Sequence, residues 1–315
     1  MNIVVAIGIG LLATVVGYMS VTAAFSNNNN TNNNKKYSIK TWFKSKLSKQ
    51  LRAPQIGSPF GWLATLVMKH GNKLPAEEMI SILELEQYYN NIDDKNKENG
   101  LVIVEIGPGL GMSMETLLQK YYYHNNDNDD ESNNKVKISK VHGFELSESF
   151  QKKLNDKFQN EISKGIVEIH NQDAIVGLSA SSSSFEDNSV DVIYALNVVY
   201  FLNPLEDYLK EFYRVLKSKQ QQQQPATSTT SSEGGEGNVG SSRTGGGGGK
   251  VVFGVSNAVQ TMDPSIFVNT NWDDVVDTMK RVGFDEAYIG PRMKSSMDVK
   301  GVVNVPVYPI IGIKK

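Results

Sequence analysis

Along residues 101–315 two hydrophobic periods take turns. LVIVEIG (101–107) is a β-branched run that stops at a glycine, the pattern of a strand buried on both faces. KVHGFEL (140–146), IVEIHNQD (166–173), VDVIYALN (190–197) and KVVFGVS (250–256) also read as strands. Between them lie segments compatible with helix: Met112 to Tyr123, Ser147 to Lys164 with Ser147 as N-cap, Pro204 to Lys217 with proline near the first turn, and Trp272 to Val282 stopped by Gly283. The tail 302–315 reads as a last strand or hairpin. Strands alternating with helices predict an α/β fold, a doubly wound three-layer sandwich around a mostly parallel sheet.

Two polar stretches break this rhythm, at about 124–135 (acidic and Asn-rich) and about 218–249 (Gln, Ser/Thr and Gly). Neither holds enough apolar surface to offset the entropy of ordering it, so both read as disordered insertions in surface loops. Upstream, residues 54–100 form a helical segment: one helix from Pro59 to His70 closed by Gly71-Asn72, another from Pro75 to about Asn90.

Residues 3–25 carry no charge and are long enough to cross a bilayer as a helix, which makes 1–26 an expected transmembrane anchor. A signal peptide with Val21-Thr22-Ala23 as its cleavage site, or a buried helix, are the alternatives. Basic residues follow the span and none precedes it, which places the C-terminal part in the cytosol and leaves the Asn29-Asn30-Thr31 sequon unglycosylated. Within the basic stretch 27–53, Ile39, Trp42, Phe43, Leu47 and Leu51 recur at helical spacing among lysines. That helix either lies in the headgroup region or packs on the domain.

Composition narrows the chemistry. A net charge of -2 supplies no general attraction to nucleic acid, and none is expected as a partner. With no cysteine, disulfides, thiolate metal sites and cysteine nucleophiles are excluded. His70, His124, His142 and His170 are scattered without ligand-like spacing; they read as surface or packing residues, and no metal is expected.

The first strand runs into Glu105-Ile106-Gly107-Pro108-Gly109-Leu110-Gly111 and then a helix. Glycines at such a turn let backbone approach a ligand, and the helix N-terminus adds unpaired N–H groups. A dinucleotide fingerprint would need glycine where Met112 or Met114 stands, and the phosphate-loop lysine pattern is absent. At the end of the second strand, Glu145 is placed to accept from two ribose hydroxyls. After the third, Asp173 can accept from an adenine amino group, with Ala174 leaving room for the ring. The fourth ends at Asn197. The blander alternatives are tight packing for the glycines, solvated strand-end acids for Glu145 and Asp173, and a turn for Asn197.

The order E-x-G-x-G-x-G, Glu145, Asp173-Ala174, Asn197, then Arg214-Val215-Leu216-Lys217, resembles the class I S-adenosylmethionine-dependent methyltransferases of the small-molecule and quinone type. In that family RVLK continues as Pro-Gly-Gly; here the Gln/Gly-rich insert intervenes. The resemblance covers about 101–315. It implies a seven-stranded sheet whose last strand is antiparallel, and S-adenosylmethionine held by Glu105, Gly107, Gly109, Gly111, Glu145, Leu146, Asp173, Ala174 and Asn197. It also implies an apolar lid of Phe60, Trp62, Leu66 and Met68. Methyl transfer from a reactive sulfonium rests largely on orientation, so no catalytic residue is assigned. Tyr200 and His70 face the acceptor only if they are not packing or surface residues. The expected acceptor is a small or lipid-like molecule delivered at the membrane. A protein methyltransferase and a non-catalytic scaffold of the same fold are the rival expectations.

Overall fold

The computed structural model describes residues 39–55, 58–123, 135–182, 185–218, 248–294 and 306–315. The span expected at 3–25 lies outside the described residues, as do the two polar inserts apart from their ends. Among the described residues no helix is long and apolar enough to cross a membrane.

Seven strands form one sheet: β1 (Leu101–Ile106), β2 (Ile138–Phe144), β3 (Val167–His170), β4 (Val192–Leu196), β5 (Lys250–Ser256), β6 (Glu286–Ile289) and β7 (Val307–Ile313). Their order is β3-β2-β1-β4-β5-β7-β6. All neighbours are parallel except β7, which runs antiparallel to β5 and β6. The last strand is thus antiparallel, as the resemblance implies. Strand order reverses between β1 and β4, and such a switch point leaves a crevice at the carboxyl ends of the strands.

The sheet is buried on both faces because its strands are apolar at consecutive positions. Val104 and Ile106 of β1 enter one core while Leu101 and Ile103 enter the other. Helices α10 (Leu205–Val215) and α11 (Trp272–Val282) close the first core. Tyr208, Leu209, Phe212 and Val215 of α10 recur at helical spacing on its buried face. Helices α1 (Ile39–Arg52) and α2 (Pro59–Gly71) join that core through Leu47, Leu63 and Ala64. The second core is covered by α3 (Lys73–Ile82), α4 (Leu85–Asn91), α6 (Met112–Leu118) and α7 (Glu148–Lys157). A short helix, α5 (Asp94–Asn99), leads into β1, while α8 (Gln159–Ser163) and α9 (Ala174–Leu178) flank β3.

Several expected elements differ in detail. Helix 147–164 divides at Phe158 into α7 and α8, and the Ser147 side chain makes no capping bond. The helix expected from Pro75 begins at Lys73 and is broken at Glu84, whose backbone is left-handed (φ 46°). Residues 119–123 continue α6 as a π-helical turn. Helix α1 packs on the domain: Leu47 and Ser48 are buried, while Trp42 faces outward with its ring edge-on to Phe60. β6 was not anticipated. The chain on either side of 219–247 meets at its base, where Gly249 N–H donates to Lys217 O at 2.7 Å, so the insert leaves the helix-to-strand junction intact.

Buried Asp191 ties these pieces together. Its carboxylate accepts from Lys217 Nζ at 2.9 Å on each oxygen, from Tyr88 OH at 3.0 Å and from Val102 N–H at 2.8 Å. One side chain therefore joins β1, α4 and the end of the α10 strand connection.

Candidate functional site

A cleft opens at the switch point, with about 1050 Å³ of empty space, part of it open to solvent. That is room for a nucleoside-sized ligand. Eight of the nine residues expected to hold a donor line it: Glu105, Gly107, Gly109, Glu145, Leu146, Asp173, Ala174 and Asn197.

The ninth does not. Gly111 is buried at the start of α6, with left-handed backbone (φ +69°). A Cβ there would stand 2.7 Å from Leu154 Cδ2 and from Phe158 Cε2. It packs α6 closely on α7 and does not line the cleft. Gly109 is the opposite case. It is also left-handed (φ +56°), but a Cβ there would meet no atom nearer than Gly107 O at 4.0 Å, because the cleft lies beside it. Gly107 is wedged against Val198.

Glu145 anchors the loop. Its Oε2 accepts from Gly109 N–H at 2.9 Å and its Oε1 from Ser147 N–H at 2.8 Å. Burial raises its carboxyl above the ordinary range, against the lowering effect of these backbone donors. Each oxygen keeps a further lone pair for a ligand hydroxyl. Glu105 is buried behind it. Desolvation pushes its carboxyl up to about 7, opposed by hydrogen bonds from Tyr194 and Ser113 and reinforced by the charge of Glu145.

Asp173 is not a free strand-end acid. Its Oδ1 caps α9 by accepting from Ile175 N–H at 3.2 Å, and its Oδ2 accepts from Tyr208 OH at 2.8 Å. Asn197, left-handed at φ 60°, joins a chain of side chains. Ser256 N–H donates to Tyr200 OH at 3.0 Å, Tyr200 OH to Asn197 Oδ1 at 2.5 Å, and Asn197 Nδ2 to Asn72 Oδ1 at 3.0 Å. Tyr200 is a buried packing residue with a satisfied hydroxyl. The side chain of His70 lies outside the described residues.

The helical segment contributes to the cleft with other residues than expected. Of Phe60, Trp62, Leu66 and Met68, Met68 alone lines it, and Trp62 is 50% exposed. Leu51, Arg52 and Asn72 complete that wall. Arg52 and Tyr208 both line the cleft. Asn72 reads in sequence as a helix stop, and nothing local places it opposite a residue 125 positions away.

Two of the histidines pack against each other. His142 and His170, far apart in sequence, face each other from β2 and β3 with Nδ1···Nε2 at 3.0 Å, and Glu168 lies beside them.

Residues 104–221 match a family model described as Methyltransferase domain. No curated protein matches the sequence. A SAM dependent methyltransferase from Aquifex aeolicus is 14% identical, with 76% of this chain and 98% of that one covered and a TM-score of 0.40. A possible histamine N-methyltransferase from Thermotoga maritima is 16% identical, with 80% and 93% covered and a TM-score of 0.42. For the DszA carbon methyltransferase the values are 13%, 76% and 53%, with a TM-score of 0.44, so this chain spans about half of its length. The family match runs through the glycine loop, both strand-end acids and β4, so residues 104–221 of this chain are similar to a methyltransferase domain.

Proposed function

We propose that this enzyme methylates a small or lipid-like acceptor at a membrane, with the donor seated on the Gly107–Gly109 turn. The observation that carries the reading is the cleft itself. It joins a backbone turn that leaves space at Gly109 to a wall of Leu51, Met68, Phe201 and Leu202, so polar grip and apolar surface share one hollow.

S-adenosylmethionine, when bound, supplies an electrophilic methyl group on a sulfonium sulfur. Glu145, already fixed by two backbone donors, offers its remaining lone pairs to ribose hydroxyls. Asp173, held by Ile175 N–H and Tyr208 OH, presents an acceptor to the adenine amino group beside Ala174. Leu146, 59% exposed at the rim, covers an apolar ligand face. Asn72 and Asn197, bonded to each other, hold the helical wall against the β4 exit and fix the space left for the acceptor. Such positioning of two reactants supplies much of the rate without a dedicated base.

The membrane setting rests on the uncharged stretch 3–25 and the basic residues after it, with the catalytic domain on the cytosolic side. Truncation should stop before Ile39, since Leu47 is a core residue and Leu51 and Arg52 line the cleft. The test is incubation of a membrane extract with labelled donor and either full-length protein or a variant lacking 1–38, with identification of the labelled product. A lipid-soluble product formed faster by the full-length protein supports the reading. Equal rates on membrane-borne acceptor and soluble analogue remove the membrane, and labelled protein in place of small product removes the acceptor class.

A further inference from the structure

We propose that His142, Glu168 and His170 form a binding site for a transition-metal dication, zinc by preference, near the β3 edge of the sheet. β2 and β3 run parallel with His142 opposite Glu168 and Phe144 opposite His170. Side chains two apart on a strand share a face, so this register stands all three ligands together. Nδ1 of His142 lies 3.0 Å from Nε2 of His170 and 3.7 Å from Glu168 Oε2. Nε2 of His170 lies 3.9 Å from Glu168 Oε1. Zinc bonds of about 2.0–2.2 Å at tetrahedral angles require ligand atoms roughly 3.3–3.6 Å apart. The two carboxylate distances reach different oxygens, and one ligand atom from each residue gives a set within 4.8 Å of one another. To hold the ion the rings need to part by a few tenths of an ångström and the carboxylate to turn one oxygen towards both.

The donor set suits the ion. Two imidazoles and one carboxylate, with the fourth position open to solvent, are a zinc combination. The rings are held by aromatic neighbours: Phe144 stacks on His170 at 4.5 Å and 13°, and Phe185 stands edge-on to His142 at 4.7 Å. The two histidine side chains are 11% and 12% exposed and that of Glu168 is 46% exposed, so an ion enters from the carboxylate side. The facing nitrogens share one hydrogen. Metal binding moves it to the outer nitrogen of the same ring, which keeps both imidazoles neutral and frees both facing lone pairs. Lys140 Nζ, 2.6 Å from Glu168 Oε2, competes with the ion for the carboxylate. The site is separate from the methyl-transfer reading but lies close to the cleft, because Phe144 lines the cleft and precedes Glu145, and Asp173 follows three residues after His170.

The experiment titrates chelator-stripped full-length protein with cobalt(II) and then zinc. Expected are the visible bands of tetrahedral cobalt at one equivalent, bleached by zinc, and a zinc-dependent rise of several degrees in Tm. Glu168→Gln, a substitution at a half-exposed position that leaves packing alone, should weaken cobalt binding at least about tenfold. His170→Ala should do the same, and Lys140→Gln should tighten binding. Absence of both the bands and the Tm rise in the unaltered protein overturns the proposal. So does cobalt binding of unaltered strength in Glu168→Gln and His170→Ala.

Discussion

Gly109 and Gly111 both hold left-handed backbone, yet their alanine variants should fail in different ways. At Gly109 the added Cβ meets nothing closer than 4.0 Å, so the fold bears only the backbone strain, about 1–2 kcal/mol. At Gly111 the Cβ would stand 2.7 Å from Leu154 and Phe158, both buried. Overpacking of about 1–3 kcal/mol then adds to the strain, roughly 2–5 kcal/mol in all. In a chain of this size each kcal/mol lowers Tm by about 2–4 °C, so Gly111→Ala should melt well below Gly109→Ala. Affinity should rank the other way. The methyl of Gly109→Ala occupies space beside the cleft and keeps the donor off the backbone; loss of even 1.4 kcal/mol of contact weakens binding about tenfold. The assay pairs scanning calorimetry with titration of S-adenosylhomocysteine into each variant. Gly111→Ala, measured below its Tm, should bind within about threefold of the unaltered protein, a difference under 1 kcal/mol. Unaltered affinity in Gly109→Ala would refute the placement of the ligand on this turn.

Three further outcomes follow from the same geometry. Glu105 has its carboxyl raised from 4.5 to about 7 by burial. Below the unfolded value both states hold the proton and no penalty exists; as pH rises towards 7 the unfolded chain ionises first, so stability falls by roughly 3 kcal/mol and then levels off. Glu105→Gln removes this dependence, and urea unfolding at pH 5 and pH 8 should show its relative stability growing with pH; parallel curves would contradict the account. Asp191→Ala strands Lys217 and two other partners, and should cost about 3–5 kcal/mol in denaturant unfolding. Asn72→Ala removes the acceptor of Asn197 Nδ2 and should cost about 1 kcal/mol of stability while raising KM for acceptor more than it lowers Tm would explain.

The parallel part of the sheet was legible because each of its strands announces itself as an apolar or β-branched run ending near a glycine, acid or amide. β6 was not: Glu286–Ile289 is short, mostly exposed and pairs with β7 alone, so it carries no buried run to read. Within the glycine motif, spacing showed that three glycines matter but not that they matter differently. Gly111 answers to Leu154 and Phe158, contacts that exist only once α7 has folded back over α6. The same limit hid Asn72, Arg52 and the His142–His170 pair. A parallel register brings together residues 28 apart, and no local pattern encodes which strands will be neighbours.

On the donor placement proposed above, the cleft separates two tasks. Glu145 and Asp173, each tied down by donors from the chain itself, face groups common to donor and product, since ribose and adenine are unchanged by methyl transfer. Glu105 differs: it is buried, near neutrality, and feels the charge of Glu145. Two desolvated carboxyl groups so placed resist ionising together, and a cation beside them relieves the conflict by stabilising both charges. On that placement the sulfonium of S-adenosylmethionine is such a cation, and methyl transfer abolishes it. Glu105→Gln should therefore narrow the preference for S-adenosylmethionine over S-adenosylhomocysteine in calorimetric titration, and an unaltered ratio of the two affinities would refute the role.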